Sequence, residues 1–419
     1  MTSIRRNIVA LYVLQSANYL LPLVVVPYLV RILGPDGYGR VAFAQSFIGY
    51  FVVLTDYGFN LSATRAISLA REDENQLSST FTAVFLVKTG FMIACFALLV
   101  VLVNLVPRFA QDRELYLLSF LAVLGNVLFP IWFFQGIERM RVITGLSILA
   151  RTLSTAAIFL FVHHDTDYRL AAGIQAGSPV IAGLGAIIMI PRLMRINLRW
   201  PGFATLRAVT TDGWHIFLST AAISLYTSSS VFVLGIICTP TIVGYFSAAQ
   251  KLIKAASSLA SPVSQAVYPR VAYLASRTRE TALEFVGRLL LWQGLAMFAT
   301  SLALLVLSRP LVLLALGPRF SPSVQVVDWM AALPFIVGLS NVYGIQIMLN
   351  FGMKQTFSRI LIFSGVLNLA LLPPLAHWFG AQGAAISVLF TEFTVTVSMG
   401  LALKRRHLLP RIGVHSWTT

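Results

Sequence analysis

Long apolar runs, each about twenty residues and separated by short polar stretches, dominate the chain from end to end. A bilayer core of about 30 Å needs roughly 20 mostly apolar residues to be crossed as a helix. Scanning for such windows gives twelve: 8–33, 41–62, 80–106, 115–135, 142–162, 170–191, 214–238, 243–268, 285–307, 326–350, 356–376 and 382–403. The window 243–268 is the weakest, because it holds Lys251, Lys254 and many small polar residues. The first, Ile8 to Leu33, follows a basic start as a signal peptide would. It has no small-residue cleavage site and is long enough to span, so it reads as a first helix.

The pattern therefore predicts an all-α polytopic membrane protein of about twelve transmembrane helices. Composition agrees: 57% of the 419 residues are hydrophobic, 11% are charged and the mean hydropathy is +0.80. Soluble domains carry about 25% charged residues, so a soluble enzyme or a disordered regulator is excluded. The two cysteines, Cys95 and Cys238, lie inside apolar runs, which speaks against a disulfide scaffold or a metal site.

Charge sets the expected orientation. The 31 Lys and Arg outnumber 15 Asp and Glu. Nucleic-acid binding would need a solvated basic face or tail, whereas here the cations sit in ones and twos between apolar runs, so no nucleic-acid partner is expected. Taking the termini and alternate loops together places 20 basic residues on one side, 7 on the other and 4 within spans. The positive-inside rule then puts both termini in the cytoplasm. The loops are short, and none resembles a nucleotide site or could form an extramembrane catalytic domain.

A central polar stretch beginning near residue 192 divides the chain into blocks 1–200 and 201–419, each expected to form a bundle of six helices. The blocks share a trace of repetition: Pro35, Gly39 and Gln45 recur as Pro240, Gly244 and Gln250, all at one offset. Two like-oriented halves around a central cavity are an established transporter plan.

Ionisable groups within spans are costly and tend to face a cavity or a partner. Lys251 and Lys254 share one helix face and lie roughly 12–17 Å from the end of their span. They are the leading candidates for an anion site, the alternative being pairing elsewhere or snorkelling. Arg151, Lys88 and Arg31 are secondary candidates, with Asp56 or Glu392 as available counter-charges. Glu392, near mid-span, and Asp56 are the candidates for ion coupling or charge balance. Asn18, Gln45, Gln250, Asn341 and Gln346 offer neutral hydrogen bonds or ordinary helix contacts. Trp132, Trp200, Trp214, Trp329 and Trp378 read as interface anchors, with Trp132–Gln135 also able to present an aromatic surface to a sugar. The segment His163, His164, Asp165 and Asp167 reads as a solvated turn ahead of a weak metal site.

The stretch Leu33-Gly34-Pro35-Asp36-Gly37-Tyr38-Gly39, then Thr55-Asp56-Tyr57-Gly58-Phe59 and Ala63-Thr64-Arg65, resembles the opening of bacterial polysaccharide transporters. So do 130–138 (PIWFFQGIE) with Met140, Leu316-Gly317-Pro318-Arg319-Phe320, and Gly352-Met353-Lys354. The family is the Wzx-type O-antigen flippase group of the multidrug/oligosaccharidyl-lipid/polysaccharide exporter superfamily. The resemblance implies a flippase of the bacterial inner membrane that moves undecaprenyl-pyrophosphate-linked oligosaccharide units from the cytoplasmic to the periplasmic leaflet by alternating access. It also implies a cationic cavity for the pyrophosphate and glycan, coupling to a proton or sodium ion, and association with polysaccharide polymerase and chain-length machinery. In that setting Lys251 and Lys254 would neutralise pyrophosphate, helped by Arg151, Lys88 and Arg31. No covalent step is needed, so neither a catalytic residue, a cofactor nor a metal is expected. Competing readings are an ion-coupled multidrug or organic-cation exporter of the same superfamily, which would want a carboxylate-lined cavity, and a peptidoglycan lipid-precursor flippase, a group with more spans. A membrane glycosyltransferase would need larger loops.

Overall fold

The computed structural model describes the backbone of residues 2–194 and 200–410, and the side chains from residue 24 onward within those ranges apart from 215, 219, 222, 223 and 225–228. Arg195, Arg199 and Arg411 lie outside the described residues, as do the side chains of Arg5, Arg6, Asn18 and Pro22. The described residues form helices joined by short turns, with no strand among them. Seven of these helices are long and apolar enough to cross a bilayer. Large side chains such as Ile93, Leu160, Ile188, Val306 and Phe363 are exposed along them, as expected where the surrounding medium is hydrocarbon. This is a multi-pass, all-α membrane protein.

The observed helices depart from the twelve apolar windows in ways that follow from local chemistry. Window 8–33 and window 41–62 as far as Asp56 belong to one helical run, Thr2–Asp56, broken at Gly34 (φ 65°, ψ −179°), while the end of the second window falls in the turn at Tyr57-Gly58 and the helix Phe59–Leu69. Windows 356–376 and 382–403 belong to another, Lys354–Arg405, broken at Gly380 (φ 56°, ψ −127°). Both breaks use backbone conformations that L side chains resist. The window 243–268 is instead two helices, Pro240–Ser257 and Ala260–Arg277. At the break, the Ser258 hydroxyl donates to the carbonyl of Ala255 (2.7 Å), a local bond that competes with helix propagation. Window 115–135 is interrupted at Phe120 and again at Phe129-Pro130, and window 326–350 ends in a π-helical segment, Val342–Met348.

The chain forms two compact units, Met1–Ser224 and Leu225–Thr419. The division falls inside the helix Gly202–Ile237, because the polar residues after 200 are already helical. The first unit is built around a cluster of buried aromatics, including Phe59, Phe81, Phe129, Trp132, Phe133 and Phe134. Trp132 is 1% exposed and Phe133 and Phe134 are fully buried, so this run is core, neither an interface anchor nor a sugar platform. Trp200, Trp214, Trp329 and Trp378 are exposed. The second unit packs Val271, Val286, Val342, Ile347, Met348, Met399 and Leu403 together.

Candidate functional site

In the second unit, a cavity of about 140 Å³ is lined by Ser230, Gln250, Lys254, Asn368, Val388, Thr391 and Glu392. Four segments build it. Ser230 comes from the helix Gly202–Ile237, and Gln250 and Lys254 from the helix that Pro240 opens at its first turn. Proline suits that position because the first N–H of a helix has no intrahelical acceptor. Asn368 lies before the break at Gly380, and Val388, Thr391 and Glu392 after it. The break thus folds two parts of one run back to back.

The wall opposite the lysine is held by hydrogen bonds. Asn368 Nδ2 donates to the hydroxyls of Ser387 and Thr391, each at 3.2 Å, and Thr391 donates to the carbonyl of Ser387 (2.7 Å). Asn368 Oδ1 is buried and accepts no hydrogen bond from the described residues. One cation and one carboxylate therefore line the same polar cavity. Among the described residues Lys254 forms no ion pair and its side chain is accessible. A lysine ammonium in such a place offers three donors to a phosphate oxygen, and its attraction is stronger than in bulk water because the surrounding dielectric is lower. Lys251 lies three residues earlier in the same helix and is half-buried; it does not line the cavity wall.

The other sequence candidates fall elsewhere. Lys88 is 1% exposed, and its Nζ donates to Asp56 Oδ1 (3.1 Å) and to the carbonyl of Asn126 (3.4 Å). The second oxygen of Asp56 accepts from Asn60 Nδ2 (2.9 Å). Each charge of this pair is met inside the first unit. Arg151 is exposed on the helix Met140–Phe161 and Arg31 is exposed just before the break at Gly34. Gln346 is fully buried and donates to the carbonyl and hydroxyl of Ser264, both at 2.9 Å, while the Ser264 hydroxyl donates to Asn341 (2.7 Å). These two amides tie helices together. Gln45 donates to Gln175 (3.1 Å); of the four amide candidates whose side chains are described, only Gln250 is in the cavity wall. In the turn after Phe161, the backbone N–H groups of His163 and His164 both donate to Asp167 Oδ2 at 2.9 Å, so that carboxylate closes the turn.

Asn368 and Thr391 were not singled out by sequence. Asparagine and threonine inside an apolar run are common in membrane helices as interhelical contacts, and only the fold at Gly380 brings them beside Lys254.

The arrangement is a cavity lined by polar side chains inside an apolar helical unit of a membrane protein. Solved structures share the fold. A structure of the lipid II flippase MurJ in an inward closed conformation superposes with a TM-score of 0.76 at 11% identity, covering 95% of this chain and 87% of that one. An inward-facing multidrug resistance MATE family transporter of the MOP superfamily gives 0.64 at 14% identity, covering 96% and 98%. The polysaccharide biosynthesis protein family profile matches residues 4–275, and the chain belongs to that family. It is 38% identical over 412 residues to an Escherichia coli (strain K12) protein named "Putative O-antigen transporter", across 97% of this chain and 98% of the other. A Shigella dysenteriae protein of the same name is 28% identical over 400 residues, covering 96% of this chain and 100% of the other.

Proposed function

We propose that this protein is a flippase of the bacterial inner membrane that moves undecaprenyl-pyrophosphate-linked oligosaccharide units, precursors of O-antigen, from the cytoplasmic to the periplasmic leaflet by alternating access. Full-length similarity to proteins named as O-antigen transporters supports the substrate class. The observation that carries the mechanism is the Lys254 ammonium in a polar cavity within the second unit. A substrate bearing a pyrophosphate has its densest charge at the joint between lipid and glycan. A lysine beside hydroxyl and amide groups offers that joint an ionic contact while leaving hydrogen-bonding groups for sugar hydroxyls.

In this reading Lys254 is the principal anion contact and Lys251 reinforces the positive potential from the next turn of the same face. Glu392 balances the lysine charge when the substrate is absent and, with the open acceptor Asn368 Oδ1, gives a coupling proton or sodium ion a place to act. Arg151, exposed midway along its helix, and Arg31, exposed just before the break at Gly34, contribute further positive charge. Twelve spans in two bundles of six, with both termini cytoplasmic, complete the topology, and polymerase and chain-length proteins receive the product. Translocation breaks no covalent bond, so no catalytic residue or cofactor is assigned.

The test is uptake in proteoliposomes carrying the intact protein, comparing an undecaprenyl-pyrophosphate-linked oligosaccharide with a lipophilic organic cation under imposed proton or sodium gradients. Movement of the lipid-linked sugar supports the flippase. Movement of the cation alone assigns the protein to drug export.

A further inference from the structure

A second cavity, separate from the one holding Lys254, lies within the first unit. It is an open groove of about 540 Å³ between the helix Phe59–Leu69 and the helix Gly202–Ile237, lined by Leu61, Arg65, Ala66, Leu69, Asp212 and Ile216 among others. Its geometry follows from the turn that precedes it. Tyr57 (φ 46°) and Gly58 (φ 75°) both adopt left-handed backbone, and a Cβ on Gly58 would lie 2.7 Å from Ile216 Cγ2 and 2.9 Å from the backbone nitrogen of Phe217. The two helices therefore touch at this end and diverge beyond it.

Leu61, Arg65 and Leu69 recur every fourth residue and share a helix face. Leu61 and Leu69 are 67% and 76% exposed, and Arg65 is exposed between them. Across the groove stands the exposed carboxylate of Asp212. Among the described residues neither Arg65 nor Asp212 belongs to an ion pair. A guanidinium and a carboxylate thus face one apolar-walled groove without neutralising each other directly.

We propose that this groove binds the headgroup of a zwitterionic aminophospholipid, with Arg65 taking the phosphodiester, Asp212 the primary ammonium, and the acyl chains running over Leu61 and Leu69. The charge pattern selects this occupant. A lipid with net negative charge leaves Asp212 opposed by phosphate and desolvated without a partner. A choline headgroup carries a positive charge but no N–H to donate, so it leaves the carboxylate lone pairs unmet. A guanidinium is suited to bidentate contact with a phosphodiester. The volume lies within the range of small-ligand sites. The groove lies where the second and seventh apolar windows reach their polar ends, the depth at which headgroups sit. The inference uses only residues of the first unit and does not depend on what the protein transports.

The test is native mass spectrometry of the intact purified chain released from detergent micelles, supplemented in turn with phosphatidylethanolamine, phosphatidylcholine or phosphatidylglycerol of identical acyl chains. The expected result is retention of the ethanolamine lipid about tenfold above the choline lipid, the ratio one charge-assisted hydrogen bond supplies. Asp212→Asn erases that preference, Arg65→Gln lowers retention of all three phosphodiesters, and Ala66→Phe, which fills the groove without altering charge, lowers retention as well. Equal retention of ethanolamine and choline lipids by the unmodified protein overturns the proposal. So does a preference that survives Asp212→Asn, or stronger retention of phosphatidylglycerol.

Discussion

The ammonium of Lys88 lies 3.1 Å from Oδ1 of Asp56, with their side chains 2% and 14% exposed, and so joins the helix Glu74–Leu105 to the end of Thr2–Asp56 inside the first unit. Removing one partner of such a pair strands a charge away from water, which costs about 3–5 kcal/mol, whereas removing both is far better tolerated. Lys88→Met and Asp56→Asn are each expected to lower the melting temperature in detergent sharply. The double variant is expected to be more stable than the sum of the two losses. Additive losses in a double-mutant cycle would show that the pair is not coupled.

Trp132 and Trp378 sit at opposite extremes of burial, at 1% and 76% exposed. Trp132→Ala is expected to cost about 3–5 kcal/mol through the cavity it leaves in the aromatic core. Trp378→Ala is expected to leave stability nearly unchanged. Comparing the two melts checks the assignment of the aromatic run at 132–134 to packing.

This run shows how far the sequence reaches. Hydropathy and the lack of extramembrane domains were enough to identify an all-helical membrane protein, and the glycines at 34 and 380 stand between apolar windows where the helices do break. Burial was not legible, because a Trp-Phe-Phe triplet at the end of a window looks the same whether it faces a headgroup layer or a core. The fate of the ionisable residues was partly legible. Lys88 and Lys254 are both lysines within predicted spans, and only tertiary placement gives one a carboxylate at bonding distance and sets the other in a cavity wall. Asn368 and Thr391 were invisible as site residues for the same reason, since they lie far from residue 254 in sequence.

The π-helical segment Val342–Met348 carries the fully buried Gln346, whose amide donates twice to Ser264. Gln346→Met keeps the volume and removes the donors. The expected loss is about 1–3 kcal/mol, the range for leaving a buried polar partner unmet, read as a lower melting temperature with no change in substrate binding. A selective loss of binding at unchanged stability would instead place Gln346 at the substrate.

Gly58→Ala is expected to be strongly destabilising for two independent reasons, the left-handed φ of 75° and the contact with Ile216 and the backbone of Phe217. Because the added Cβ is fixed by its own backbone and meets the Ile216 Cβ and the backbone nitrogen of Phe217, a rotamer change cannot relieve the contact. Limited proteolysis of the turn after Asp56 should then become faster in the variant. An unchanged digestion rate would mean that the two helices do not meet there.

The most direct test of the central claim is the rate at which proteoliposomes take up undecaprenyl-pyrophosphate-linked oligosaccharide, with the intact protein and with Lys254→Gln at matched reconstitution and matched melting temperature. The account predicts translocation by the intact protein and a fall of about tenfold or more in the variant, the effect of losing one ionic contact to pyrophosphate. Translocation by Lys254→Gln at the unmodified rate would contradict it.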